Sequence, residues 1–331
     1  FLSTYAAAQL NAGSKSMHIL FDLDYRLGAI IGGIIVLLYC FSGGIRASIW
    51  TDAAQSFVMV IAMLLMVFFG IKELGGVSNF INQLHKISPD YMKWFPSTNF
   101  SDFLLAPYMF IIGWFFSGVG VVGQPHVMVR FMAIDNAKNI PKTRIYYYTW
   151  YTLFYSLTIL AAFVARLLIP ETNNIDPELA LPILALSLLP EFFVGIVLAG
   201  IFAATMSTAD SQILACTASI TNDLLLNKRN NYLVNKLVTL IVTVFVVTIA
   251  INENKNVFNL VLMSWSTLAC CFSPLLIINS FKQKVSEFLS LMMMVIPLIT
   301  LLLWRYYGLN EFIYEVAPGI ISGILTFFIF R

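Results

Sequence analysis

Long apolar stretches, each nearly free of charge, constrain this chain more than any other feature. Of its 331 residues, 59% are hydrophobic and only 11% are charged, whereas a soluble domain typically carries about 25% charged residues. No soluble core could hide so much apolar surface, and a helix needs roughly 20 apolar residues to cross a bilayer. The sequence therefore predicts an all-α polytopic membrane protein. The candidate spans are 27–44, 53–71, 104–129, 146–165, 192–222, 233–251, 256–281, 288–304 and 316–330, with 1–14 as the end of another.

The Lys and Arg residues of the short connections indicate the orientation, because cytoplasmic loops are enriched in them. On this basis 130–145, 223–232 and 282–286 are predicted to face the cytoplasm, and 72–103 and 166–191 the outside.

Two further segments are unusual. Residues 177–190 are apolar, bracketed by prolines and too short to span, which predicts an interfacial or re-entrant helix over an outward-facing cavity; a helix lying on the surface fits equally well. Residues 118–125, "GVGVVGQP", predict close packing or an interrupted helix.

A polar group interrupts the apolar stretch "FAATMSTADSQ", residues 202–212. Positions 204, 207, 208 and 211 fall on one helical face, and Asp210 lies at its edge. A small cation needs several oxygen ligands, which this face can supply. The alternative is a packing surface whose hydroxyls bond back to the preceding turn. A carboxylate inside a membrane favours the cation site.

Asp52 is the other carboxylate near a span. In "SIWTDAAQ" it stands immediately before the predicted helix 53–71, where it could instead cap the first turn. The chain carries no nucleotide-binding loop and no catalytic triad, and its net charge of +2 gives no sign of nucleic-acid binding. An enzyme, an organic cofactor and a nucleic-acid partner are therefore not expected.

Five segments resemble the sodium/solute symporter family, most closely its sodium/proline symporters, in the family's order and spacing. They are "SGGIRASIWTDAAQ" (42–55), "GQPHVMVRFMAIDN" (123–136), "LAGIFAATMSTADSQILACTASITNDL" (198–224), "NENKNVFNLVLMSW" (252–265) and "YEVAPGIISGI" (314–324). The resemblance implies a leucine-transporter-type core of two inverted five-helix repeats with peripheral helices, and ions and solute at the midplane. Residues 1–331 then form a single transporter domain that begins at the end of core helix three, a fragment without the first two core helices.

The resemblance also implies functional residues. The family's main sodium site maps to the Ala204 carbonyl and the hydroxyls of Ser207 and Thr208. A second sodium site of some members maps to Asp52, Ser207, Asp210 and Ser211. Two aromatic residues that sodium/proline symporters carry near the solute are replaced by Ser117 and Val121, with Trp114 one turn earlier, while Trp265 is a further candidate for the solute cavity.

The function so implied is sodium-coupled uptake of a small solute, proline or another amino acid, by alternating access in the cell (inner) membrane. Sodium is the coupling ion, and the solute and the lipid bilayer are the other partners. Three alternatives stay open: a symporter for another organic acid, the sensor input module of a histidine kinase, and a non-transporting fragment.

Overall fold

A computed structural model describes residues 1–88, 91–93, 105–169, 176–225, 231–252 and 256–331, and every regular element in these ranges is helical. The α-helices are α1 Leu2–Phe21, α2 Tyr25–Glu73, α3 Val77–Ile87, α4 Ala106–Val119, α5 Pro125–Met132, α6 Ile140–Leu168, α7 Ala180–Leu188, α8 Glu191–Ser219, α9 Tyr232–Asn252, α10 Val257–Ser280, α11 Glu287–Tyr306 and α12 Val316–Phe330. Short 3₁₀ segments are Gly120–Gly123, Ala137–Asn139, Pro177–Leu179 and Leu309–Glu311, and a π-helical turn, Ile220–Leu224, follows α8.

Seven helical stretches of the described chain are long and apolar enough to cross a membrane. The predicted spans 27–44 and 316–330 correspond to shorter apolar helices, Tyr25–Phe41 and Val316–Phe330. Large apolar side chains point outward from the spans; Phe57, for example, is 72% exposed. Such an outer surface suits contact with lipid, since lipid chains are as apolar as these side chains. The seven stretches are Gly43–Glu73, Ala106–Gly123, Ala137–Leu168, Glu191–Leu224, Tyr232–Asn252, Val257–Ser280 and Glu287–Tyr306.

Helix α2 contains a break at a single residue. Gly44 has φ 55° and ψ −144°, a backbone conformation that glycine adopts readily and other residues rarely. The helix continues directly after Gly44, so the prediction of a connection between 44 and 53 is wrong. A single glycine separates the two parts of α2. Asp52 consequently lies more than two turns inside a helix, and the interpretation of Asp52 as a cap is also wrong.

The predicted span 104–129 is not one continuous helix. It consists of α4, the 3₁₀ segment Gly120–Gly123 and α5, which begins at Pro125. The sequence predicted close packing or an interrupted helix at 118–125, and the structure has both. A Cβ on Gly123 would lie 2.9 Å from the Leu268 carbonyl oxygen, and one on Gly120 would lie 2.7 Å from the Ala269 Cβ, whereas no described atom lies within 4 Å of one on Gly118.

The chain divides into two compact units. The α8 unit comprises Leu2–Met92 and Ile134–Phe258, and the α12 unit comprises Phe1, Lys93–Ala133 and Asn259–Arg331. In the α8 unit, α8 packs against α1, α2, α7 and α9. In the α12 unit, α12 packs against α4 and α11.

Small residues allow the close helix contacts in both units, as is usual in membrane proteins. A Cβ on Gly200 of α8 would lie 2.5 Å from the Ala62 Cβ of α2, and one on Gly323 of α12 would lie 2.5 Å from Pro274 Cγ of α10. The predicted short helix within 177–190 is present as α7, whose residues Leu184 and Ala185 are buried. The orientation of the spans stays a prediction.

Candidate cation and solute sites

Three hydroxyls of α8 lie close to backbone carbonyls on one face of the helix. Ser207 Oγ and Thr208 Oγ1 donate to the Ala204 carbonyl oxygen at 3.2 and 3.1 Å, and Ser211 Oγ donates to the Ser207 carbonyl oxygen at 2.7 Å. The back-bonding considered from the sequence therefore occurs. Each hydroxyl oxygen nevertheless keeps lone pairs that can coordinate a cation. The oxygens proposed as ligands thus share one face of α8, on which Ala204, Ser207 and Thr208 are half-buried and Ser211 is buried.

The Asp210 carboxylate lies inside the α8 unit, and the residue is only 1% exposed. Its Oδ1 accepts a hydrogen bond from Ser211 Oγ at 2.9 Å, so Ser211 is within hydrogen-bonding distance of both this carboxylate and the Ser207 carbonyl. The Cys40 thiol of α2 lies 3.9 Å from the Asp210 carbonyl oxygen. Ser211 therefore connects a buried carboxylate to the hydroxyl face.

Asp52 lies on α2, the helix that packs against α8. Its Oδ2 accepts a hydrogen bond from Ser48 Oγ at 3.4 Å, and the residue is half-buried. Because Asp52 is inside a helix rather than at its start, helix capping does not explain a carboxylate at this position.

The solute candidates Ser117 and Trp265 are in contact in the α12 unit. Trp265 Nε1 of α10 donates to the Ser117 carbonyl oxygen of α4 at 3.4 Å, and the Trp265 carbonyl accepts from Gln124 Nε2 at 3.0 Å. Val121 lies in the 3₁₀ segment between Ser117 and Gln124. The Trp265 indole of α10 therefore adjoins Ser117, one of the two positions that lack an expected aromatic residue.

Trp114 stacks on Tyr314, with ring centroids 5.3 Å apart and planes 17° from parallel. The residue after Tyr314, Glu315, is 1% exposed and accepts hydrogen bonds from Ser266 Oγ at 2.9 Å and from Arg305 Nε at 3.0 Å. Sequence reasoning did not single out this carboxylate as buried. The available signal was its position in the segment "YEVAPGI", immediately before an apolar helix.

A second group missed from the sequence lies at one end of α1. Lys15 Nζ is 2.7 Å from Asp176 Oδ2 and 2.5 Å from Glu178 Oε2, and Glu178 Oε1 also accepts from the Phe258 backbone N–H. Burial by itself raises the pKa of Asp176, but the hydrogen bonds from Lys15 and from the Glu178 backbone N–H, together with the Lys15 charge, hold that pKa below its ordinary value. We call these three charged residues the Lys15 clamp.

Gln212 was also missed. It follows Ser211 on α8 and is fully buried, and neither its Nε2 nor its Oε1 has a hydrogen-bond partner among the described residues. A buried amide without partners is costly, and Gln212 stands one turn after Thr208 on α8, in line with the candidate cation face.

The sequence model of the Sodium:solute symporter family matches residues 1–296, and the chain belongs to that family. A sodium/proline symporter of Salmonella typhimurium is 28% identical over 100% of this chain and 66% of the relative. Sodium/proline symporter 2 of Staphylococcus saprophyticus is 29% identical, over 98% of this chain and 66% of the relative. The chain thus spans slightly less than two thirds of the length of these relatives.

The fold is similar to that of a solved Na⁺-coupled sialic acid symporter in a substrate-bound, outward-open state. The TM-score is 0.79, with 18% sequence identity, over 98% of this chain and 71% of that one. This likeness confirms the predicted leucine-transporter-type fold. Together with the seven candidate spans, the family identifies a multi-pass membrane protein.

Proposed function

We propose that this protein is a sodium-coupled symporter that takes up a small solute, with residues 1–331 acting as a single transporter domain in the cell membrane. The observation that carries the proposal is the oxygen cluster of α8: the Ser207 and Thr208 hydroxyl oxygens lie 3.2 and 3.1 Å from the Ala204 carbonyl oxygen, one turn before a buried carboxylate. The family assignment supports sodium as the ion.

The hydroxyl and carbonyl oxygens are suited to a small hard cation, which prefers oxygen ligands. Ser207 and Thr208 donate their protons to the Ala204 carbonyl, and each hydroxyl oxygen keeps lone pairs that can coordinate a cation. Asp210 and Ser211 extend the oxygen supply by another turn. A cation stabilises a negative charge inside a membrane, and the negative charge in turn strengthens binding of the cation.

Asp52 adds a carboxylate from a different helix. With Ser207, Asp210 and Ser211 it forms the second cation site that we propose, and this site could hold a sodium ion or a proton. Because ion and solute binding to one protein are linked, a cation bound here raises the affinity for solute, and solute raises the affinity for the cation by the same factor. This reciprocity is the thermodynamic basis of symport.

Proline is the solute that we place first, and other amino acids or organic acids follow. The relatives' names point to proline, and two indoles of the α12 unit, Trp114 and Trp265, can provide the apolar surface that a pyrrolidine ring requires. Ser117 and Val121 weaken the argument for strict proline specificity, since both are smaller than the aromatic residues they replace.

The test is uptake by the complete protein reconstituted in liposomes. An inward sodium gradient should accumulate radiolabelled proline or a competing solute from a panel of amino acids and organic acids, and an equal potassium gradient should not. Uptake that is indifferent to sodium would contradict the proposal. Sodium-dependent binding with no uptake would instead favour the sensor alternative, and exclusive transport of proline would show that Ser117 and Val121 do not broaden specificity.

A further inference from the structure

Glu315 is a buried charged residue that the proposed cation sites do not use. It stands at the start of α12 and is 1% exposed. Its carboxylate accepts from Ser266 Oγ of α10 at 2.9 Å and from Arg305 Nε of α11 at 3.0 Å, and its backbone carbonyl lies 3.9 Å from the Cys270 thiol. One side chain therefore joins three helices of the α12 unit.

Tyr314 extends this network to α4. Its hydroxyl lies 2.7 Å from Ser266 Oγ, and its ring stacks on Trp114. The backbone of Tyr314 also approaches α4 closely, since a Cβ on Gly113 would lie only 2.9 Å from the Tyr314 nitrogen. The ring and the backbone of Tyr314 thus approach two neighbouring residues of α4, Trp114 and Gly113.

The same network reaches the second indole through the chain itself. Ser266 is the neighbour of Trp265, whose indole donates to the Ser117 carbonyl and whose own carbonyl accepts from Gln124. Gln124 is fully buried. Both candidate indoles are therefore connected to Glu315. Trp114 stacks on Tyr314, the residue before Glu315, and Trp265 precedes Ser266, which donates to the Glu315 carboxylate.

We propose that Tyr314 and Glu315 are positioning residues of the solute site, holding Trp114 and Trp265 in the arrangement that receives the solute. The inference rests on the proposed function and concerns its solute, not its ion. An ion pair with additional hydrogen bonds gives a single well-defined geometry, which a stacked aromatic pair on its own does not. The cation face belongs to α8, so loss of the network should leave its ion preference intact.

The variants separate the two links. Glu315→Gln removes the charge and keeps the shape, Tyr314→Phe removes only the hydroxyl, and Tyr314→Leu removes the stack. Tyr307→Phe is the matched control, because Tyr307 is exposed. In reconstituted complete protein, Glu315→Gln and Tyr314→Leu should each raise the KM for proline about tenfold, and Tyr314→Phe about threefold, given the usual contribution of charged and neutral hydrogen bonds. Half-saturation by sodium, measured at saturating proline, should change less than about twofold.

A second measurement does not depend on transport. The near-ultraviolet circular dichroism of the purified protein should lose aromatic intensity in Tyr314→Leu and keep it in Tyr314→Phe and Tyr307→Phe. A fall in the amount of folded protein with an unchanged KM would show a purely structural role and overturn the inference. If the wild-type protein shows no sodium-dependent uptake, the proposed function is wrong but the inference is still testable. Equilibrium binding of proline is then measured, and equal affinities of the wild type and Glu315→Gln would overturn the inference.

Discussion

The two buried carboxylates, Asp210 of the α8 unit and Glu315 of the α12 unit, are equally inaccessible, at 1% exposed each, yet their surroundings differ. Glu315 interacts with a guanidinium and a hydroxyl from two other helices. Asp210 accepts a hydrogen bond from Ser211 Oγ on its own helix. Ser211 also lies within hydrogen-bonding distance of the Ser207 carbonyl, on the face that carries the other hydroxyls. The Glu315 contacts join three helices and fix their relative positions. The contact between Ser211 and Asp210 lies within α8 and can rearrange around an ion without moving that helix.

The largest effect is expected from Asp210→Asn. Loss of the charge should raise the sodium concentration for half-maximal uptake by roughly 10- to 100-fold, because a hydrogen-bonded charged group contributes more than a neutral one. High sodium should partly restore the apparent affinity for solute, since the two ligands are linked. The measurement is initial uptake against sodium concentration.

Asp223→Asn is the control for this change. Asp223 follows the same helix but is exposed in the π-helical turn. Equal sodium dependence in Asp210→Asn and the wild type would mean that the α8 face serves packing only.

The next largest effect is expected from Arg305→Met, which removes the charged partner of Glu315. Removing the partner of a buried carboxylate is strongly destabilising, but the Arg305 side chain is 32% exposed, so we expect the free energy of unfolding to fall by about 2 kcal/mol. Replacing Glu315 by Met in the same protein should recover most of this loss, because an apolar pair often packs as well as an ion pair. Unfolding by detergent titration measures both, and an unchanged single variant would refute a stabilising ion pair.

A smaller effect is expected from single hydroxyl deletions on α8. Ser207→Ala and Thr208→Ala should each raise the sodium requirement about three- to tenfold, and Thr208→Ser should stay near the wild type. Thr158→Ala is the matched control, since Thr158 Oγ1 makes a similar back-bond, to the Phe154 carbonyl at 2.9 Å, on an exposed face of α6. If the control behaves like the two site variants, the effect belongs to back-bonding and not to ion binding.

The smallest effect concerns the Lys15 clamp. Because the pKa of Asp176 lies below its ordinary value, its contribution to stability is present above pH 3.8 and is lost as the pH falls through the lowered value. Burial lowers the pKa of Lys15, but hydrogen bonds to the two carboxylates hold it above 10.5, so its contribution is lost only as the pH rises past that range.

Lys15→Met should therefore reduce stability by at most about 1 kcal/mol, evenly between pH 5 and 9, since partly exposed ion pairs contribute little. Hydrogen exchange of the 177–190 segment against pH measures the change. A loss that varies strongly inside this range would contradict the assigned pKa directions.

The spans and the hydroxyl face followed from the sequence because both depend on local patterns: apolar runs identify helices, and a spacing of three and four residues identifies a face. The break at Gly44 did not, because Arg46 and Asp52 suggested a polar connection while the helix in fact continues through them. The Glu315 network was equally hidden, since its partners Ser266 and Arg305 are 49 and 10 residues away along the chain. A single sequence does not reveal such distant pairings.

The interruption between α4 and α5 has a practical consequence for spectroscopic probes. Gly120 and Gly123 touch α10 so closely that a side chain at either position would displace a neighbour, whereas one at Gly118 meets open space. A cysteine scan across this segment would thus report misfolding at two positions and reagent access at the third. Gly118→Cys is accordingly the position at which a fluorophore or spin label can be attached beside the candidate solute residues Ser117 and Val121 with the least disturbance of the contacts that hold them.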